Sequence, residues 1–429
     1  MKKTANTGVL SEKTNYRSKK LTLNLSTPYR LWSFPSPTVL LLLATLSAFQ
    51  ITNAETAFQK QFHEREEVQL IQAVDHFHAG DINSALSALE QLVQSRPYFQ
   101  LAHMAYAEAL ATLGQITPHH SSEKNSLITP LHREAQKRYQ ARHVLTEGKI
   151  PASIVSLSKK HPYALIVDLT LARLYLIDNR QALPSIIGDH YITLGKAGFG
   201  KARINDNKTP LGVYTIHEFL DGNQLPDLYG KGAFPINYPN AWDKYNQKTG
   251  YGIWLHGNPS QKYSRPPRDS RGCITISNDS FEKLKRFITI GETPLILTEK
   301  INWLSQQDWA LQQQNIKNIL TTWEDDWESL NVDLHLQHYS SNYRRRARGY
   351  AFWAQYKRHI AEVKTYIQVD ISELDIFLYP GERNLFMTRF VQEYQSNNYP
   401  KKGSRLSDKQ LYWQLEQDGK WRIVHEVES

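Results

Sequence analysis

One cysteine occurs in the 429 residues. It is Cys273, in Ser270-Arg271-Gly272-Cys273-Ile274, seventeen positions after His256 in Trp254-Leu255-His256-Gly257. A thiol with a histidine available to take its proton is a candidate nucleophile, because the thiolate attacks and the imidazole serves as base. A lone thiol can also pack as a small buried hydrophobe. The neighbours favour the nucleophile. Gly272 permits a sharp turn that exposes the sulfur and directs backbone N–H groups at a developing oxyanion. Gly257 lets backbone or substrate approach closely beside His256. The intervening stretch Asn258–Asp269 holds Pro259, Pro266 and Pro267 and reads as an ordered flap.

These residues must be positioned by something. Residues 1–54 carry seven Lys and Arg against Glu12 alone, a net of +6, so the remainder holds only +3 of the formal +9. That small excess argues against nucleic acid as a partner. An apolar run, Val39–Phe49, then Thr52-Asn53-Ala54, reads as a signal peptide cleaved after Ala54, with an uncleaved anchor as the alternative. The run is shorter than the ~20 residues of a membrane span. Export to the periplasm is the expectation, and an oxidising compartment usually pairs its structural cysteines.

Residues 55–150 read as helical, with Ala73, Phe77, Ala85, Leu92, Ala102 and Leu110 at three- and four-residue spacing. Gly80-Asp81 and Arg96-Pro97 punctuate the helices as in a tetratricopeptide unit, and one such unit must dock on a neighbour to bury its face. From Tyr163 the period changes to short β runs, Ala164–Leu169, Leu174–Asp178, Tyr191–Leu194, Gly212–Ile216, Gly252–Leu255 and Pro294–Thr298, joined by glycine-rich turns. Asp279, with Glu282 three residues on, is the expected N-cap of a helix running through Ile288. After Ile316, aromatic residues at helical spacing precede extended runs around Val363–Ile371, Asn384–Tyr394, Gln410–Glu416 and Trp421–Val424, an α+β pattern.

His256-Gly257 followed by Ser270-x-Gly272-Cys273-Ile274 and Asn278 resembles the signature of the L,D-transpeptidase catalytic domain, also called the YkuD domain. Gly195-Lys196-Ala197-Gly198 and Lys208-Thr209-Pro210-x-Gly212-Val213-Tyr214 match the stretch upstream of it, and Phe234–Asn240 resembles the YafK-like branch. The resemblance covers about residues 160–300. The region 316–429 is similar to the cone-shaped nuclear-transport-factor-2-like domain of the Cds6-like group. A multidomain chain is therefore expected: a tetratricopeptide-like helical prefix, a mostly-β catalytic domain and an α+β cone serving binding or dimerisation.

The resemblance implies a peptidoglycan enzyme without a cofactor. Cys273 is the implied nucleophile and His256 the base, with Ser270 and Gly272 shaping the turn and Gly257, Arg271, Tyr238 and Asn278 contacting substrate. The nucleophile would open the amide between a diamino acid and D-Ala in a stem peptide. The thioester would pass to an amine of a second stem or of a wall-linked protein. Two alternatives are a hydrolase using the same dyad and a non-catalytic wall-binding protein. Arg271 stands where the family often has His, and Thr275 where an Arg often follows. His335 and His338, one helical turn apart, and His119-His120 are expected to be solvated or core histidines rather than metal ligands. Arg344–Arg348 reads as a solvated charged face.

Overall fold

The computed structural model describes residues 64–115, 122–144, 146–345, 348–397 and 404–428. The expected signal segment, His119-His120 and Arg346-Ala347 lie outside them. Four helices come first, Arg65–His78, Ile82–Ser95, Gln100–Leu113 and Ser122–Ala141. Asp81 caps the second, its carboxylate accepting from the Ser84 N–H at 3.2 Å. The helices bury Leu70, Ala73, Leu89, Leu92, Phe99 and Ala102 between them, and Tyr263 of the distant flap packs into the same core.

The central sheet has ten strands among the described residues. Its spine runs Gly212–Thr215, Pro294–Thr298, Tyr163–Asp168, Arg173–Asp178, Ser185–Gly195, Ile274–Ile276, Trp254–His256, Gly232–Pro235 and Leu220–Asp221, and Arg268–Ser270 pairs in parallel with Ser185–Gly195. The pleat sorts side chains with a period of two. Leu165, Val167, Leu174, Leu176, Leu295 and Leu297 enter one core. Ala164, Ile166, Tyr175, Ile177 and Ile296 enter the other. Because both faces are covered, these strands read as unbroken apolar runs rather than alternating ones.

The second core is shared. Phe377, Tyr379, Met387, Tyr412 and Val424 of the C-terminal region pack in it with Trp242. That region forms a sheet ordered Arg348–Gly349, Tyr339–Arg345, Trp421–Glu428, Arg405–Leu415, Leu385–Ser396, Ile367–Leu378 and Ile154–Ser156. Its last strand comes from ahead of the catalytic segment, so the domain boundary expected at 316 is crossed by chain from residues 154–156. The helix Gln306–Glu328 holds this crossing: Trp309 Nε1 donates to the Ile154 carbonyl at 2.7 Å, and Gln313 Nε2 donates to that of Val155 at 2.8 Å.

Two local expectations are corrected. The helix after Cys273 is Asn278–Lys285, and its N-cap is Ser277, whose Oγ accepts from the Ser280 N–H. Asp279 sits inside the first turn. The stretch around Val363, read as extended, instead ends the helix Tyr350–Val363, whose Trp353, Ala354 and Lys357 are buried. The cap is a local choice of Ser277 over Asp279, whereas the helix ending at Val363 is held by burial that no local pattern reports.

Candidate active site

Cys273 lies at the head of the strand Ile274–Ile276, which runs parallel to Trp254–His256 with Ile274 opposite Leu255 and Thr275 opposite His256. Paired residues share a face, and the face repeats every second residue. The register therefore brings Cys273 and His256 to the same side of neighbouring strands. They also share neighbours. The Tyr229 ring lies 5.0 Å from the His256 ring, and Tyr229 is close enough to Cys273 that, after desolvation, the thiol is the next cause raising its phenol pKa. The Arg265 guanidinium acts on both, favouring neutral His256 and ionised Cys273.

His256 is 3% exposed, and its Nδ1 lies 2.7 Å from the Gly257 carbonyl. A carbonyl only accepts, so Nδ1 carries the proton and Nε2 keeps the lone pair that a base needs. Burial pushes the imidazole down to about 4, against the upward pull of that carbonyl. The Cys273 thiol is half-buried, donates weakly to the Gly252 carbonyl at 3.5 Å and is pushed up by desolvation. The resting state at neutral pH is thus a neutral thiol and a neutral imidazole on the same side of neighbouring strands.

A stability consequence follows from the depressed imidazole. The unfolded chain takes up the proton near 6.5 and the folded chain only near 4, so stability falls as pH drops through that window. Relative to His256→Gln, the wild type is expected to lose roughly 3 kcal/mol between pH 7 and pH 4. Urea unfolding of both proteins across that range measures it, and a pH-independent difference would refute the buried neutral ring.

The turn that presents the sulfur is fixed from three sides. Ser270 Oγ donates to the Cys273 carbonyl at 2.6 Å and accepts from the Gly272 N–H at 3.1 Å. The Gly272 amide is therefore committed within the turn and is not one of the backbone N–H groups open to an oxyanion. Gly272 has φ +121°, and a Cβ there would meet the Lys208 carbonyl oxygen at 2.7 Å. Beneath it, Thr209 Oγ1 accepts from the Gly195 N–H at 2.9 Å and donates to the Gly272 carbonyl at 3.0 Å. The Lys196 N–H donates to the Ser270 carbonyl at 2.8 Å. The two upstream motif segments are thus the cradle of the cysteine turn.

Asn278 ties the far wall together. Its Oδ1 accepts from the Lys231 N–H at 3.0 Å, and its Nδ2 donates to the Asn258 carbonyl at 2.8 Å. Gly257 lies under that amide, where a Cβ would sit 2.2 Å from Asn278 Oδ1. Both polar ends of Asn278 being spent on backbone, its placement is that of a strut, not of a group offered to substrate.

The structure brings Cys273, His256, Ser270, Gly272, Gly257 and Asn278 together, with Arg271 exposed at the turn. Tyr238 is elsewhere. It is 5% exposed in the central core, and its hydroxyl donates to the Thr249 carbonyl at 3.1 Å. A substrate contact expected for it is not what this burial allows. Thr275 is buried as well, and its Oγ1 has no partner. Sequence reasoning missed Tyr229, Arg265 and the role of Thr209; only the last had a signal, its place in the Thr-Pro-x-Gly match.

Residues 162–297 match the family model described as the L,D-transpeptidase catalytic domain. This segment resembles that family. Residues 315–427 match the Cds6 C-terminal NTF2-like domain. Two solved structures are similar over most of their own length. Bd1075 of Bdellovibrio bacteriovorus is 28% identical with a TM-score of 0.58, covering 66% of this chain and 98% of that one. The helical cell shape determining protein Pgp2 of Campylobacter jejuni is 26% identical with a TM-score of 0.52, covering 64% and 95%. No curated protein matches the chain.

Outside the transpeptidase-type domain, His335, His338 and Arg345 have structural surroundings. His338 pairs with Asp326 at 2.7 Å, and His335 is 2% exposed among Trp323, Trp327 and Tyr339. Arg345 is ion-paired with Glu428 and so is not the solvated side chain expected of it.

Proposed function

We propose that the protein is an exported L,D-transpeptidase that remodels peptidoglycan through Cys273 and His256. The supporting observation is the paired-strand register that sets a half-buried thiol on the same side as an imidazole whose Nδ1 is tied to a carbonyl and whose Nε2 is free to act. Sulfur attacks the carbonyl carbon of the amide between the diamino acid and D-Ala, while its proton passes to Nε2. The C–N bond then breaks, the imidazolium returns the proton to the departing D-Ala amine, and the stem remains as a thioester. An amine of a second stem, or of a wall-linked protein, attacks that thioester and gives its proton to Nε2. The C–S bond breaks, and the thiolate recovers a proton from the imidazolium.

Desolvation of the dyad suits this route. A neutral thiol handed its base at the moment of attack needs no standing thiolate in an oxidising periplasm. Water in place of the amine would make the same thioester a hydrolytic intermediate. The likeness to a cell shape determining protein supports a wall substrate for either outcome. Incubation of the purified protein with a tetrapeptide muropeptide and mass spectrometry of the products decides it. Cross-linked dimer with released D-Ala is the expected result. Tripeptide alone would establish hydrolysis, and unreacted tetrapeptide would overturn the reading.

A further inference from the structure

The flap between His256 and Cys273 is sewn to the helical segment more heavily than a substrate-facing loop requires. Tyr263 Oη donates to Glu64 Oε2 at 2.6 Å, and Glu64 Oε1 accepts from Ser277 Oγ at 2.8 Å. Ser264 Oγ donates to Glu134 Oε1 at 2.6 Å. The Tyr263 N–H donates to the Tyr98 carbonyl at 3.2 Å, and its ring packs on Phe99 with centroids 4.5 Å apart. Glu64, Glu134 and Ser264 are all under 7% exposed. The next residue is Arg265. Its carbonyl accepts from Thr193 Oγ1 at 2.8 Å and from the Tyr191 hydroxyl at 3.1 Å, and its guanidinium is held by Asp269 at 2.8 Å.

We propose that the helical segment is a positioning element of the reaction centre. Through the Glu64–Tyr263 and Glu134–Ser264 contacts it fixes the flap, and with it the guanidinium of Arg265, in the loop that closes between the two reacting residues. The proposal rests on the reading of that pair as nucleophile and base. A fixed cation in a water-poor site stabilises a forming thiolate, and then an oxyanion, without having to be reoriented during the step. Arg265 sits in the loop that closes between the two reacting residues, where a shift of its anchors moves the charge. The other charged or titratable groups acting on the thiol are the Lys201 ammonium, which is paired with Asp206 at 2.9 Å, and the Tyr229 phenol. Glu64 is well built for an anchor. Although its burial alone would raise its pKa, His190 and the Tyr263 and Ser277 hydroxyls hold it at about 2, so it stays an acceptor throughout the working range.

Because Cys273 is the single cysteine, alkylation of the full chain by iodoacetamide reports its ionisation without any substrate. The rate is measured against pH for wild type, Tyr263→Phe with Ser264→Ala, Arg265→Gln and Arg265→Lys. The double variant and Arg265→Gln are each expected to raise the midpoint, so that the rate at pH 8 falls about threefold to tenfold, a shift of about half to one unit. Arg265→Lys should restore most of the rate. A folded double variant with the wild-type midpoint would overturn the role of the helical segment. An unshifted Arg265→Gln would overturn the role of the guanidinium, and that variant serves if the double variant does not fold. A shifted midpoint with no muropeptide turnover would leave this inference standing and sink the proposed function instead.

Discussion

Cys273→Ala is expected to abolish stem-peptide turnover and acylation by a carbapenem while leaving the fold intact. The loss should reach about 10⁴-fold or more, the scale seen when a covalent nucleophile is removed from an otherwise complete site. Without sulfur there is no atom at the head of Ile274–Ile276 to form the acyl bond. His256 could at most activate water, without the covalent intermediate. The stability cost should stay below about 1 kcal/mol. The thiol is half-buried, its hydrogen bond to the Gly252 carbonyl is long at 3.5 Å, and the turn is held by Ser270, Gly272 and Thr209 rather than by sulfur. Intact-protein mass spectrometry after carbapenem exposure and thermal melting check the two halves separately. An acylated variant would place the nucleophile elsewhere. A variant that melts far below wild type would show that the sulfur is a packing atom.

The proposed pair was legible because its chemistry is carried by rare residue types. One thiol after a glycine and one histidine before a glycine needed no structure to be noticed. The central strands were legible for a similar reason: runs such as Ala164–Leu169 are apolar on both faces, and so are their environments. What failed was whatever depended on contact between distant segments. Tyr238 looked like a site residue because it stood in a matched stretch, yet its ring belongs to the core. Arg265 looked like any flap arginine, since nothing in the sequence says that Tyr191 and Thr193 will hold its carbonyl. The Ile154–Ser156 strand is too short to announce a partner more than 200 residues away. The helical prefix was expected to dock on its neighbour, but the ions that make the contact lie on residues 67, 134, 138, 173 and 189, with no pattern joining them.

Those ions carry the second large effect. Arg138 is 2% exposed and bridges Glu67 at 2.9 Å and Glu134 at 3.0 Å, with its guanidinium 3.8 Å from the Tyr191 ring centroid. Glu67 also reaches Arg173 at 2.5 Å, which pairs with Asp189 at 2.6 Å. Burial alone would lower the Arg138 pKa, but the two carboxylates raise it. Arg138→Met should therefore destabilise the protein by about 3–5 kcal/mol, because it leaves Glu134 and half of Glu67 as uncompensated buried charge. Arg138→Lys should lose much of the same energy, since an ammonium cannot span both carboxylates in one plane or stack on Tyr191. The mechanism has a pH signature. Glu134 is already raised by desolvation, and without Arg138 it should rise further and bind a proton in the folded state. A carboxylate whose folded pKa is raised gains stability as pH falls, so the deficit of the variant should shrink between pH 7 and pH 5. Comparing variant with wild type at each pH cancels the opposite contribution of His256. Urea unfolding followed through the tryptophans gives the deficit, and a constant gap, or one under about 1 kcal/mol, would mean that water reaches these carboxylates.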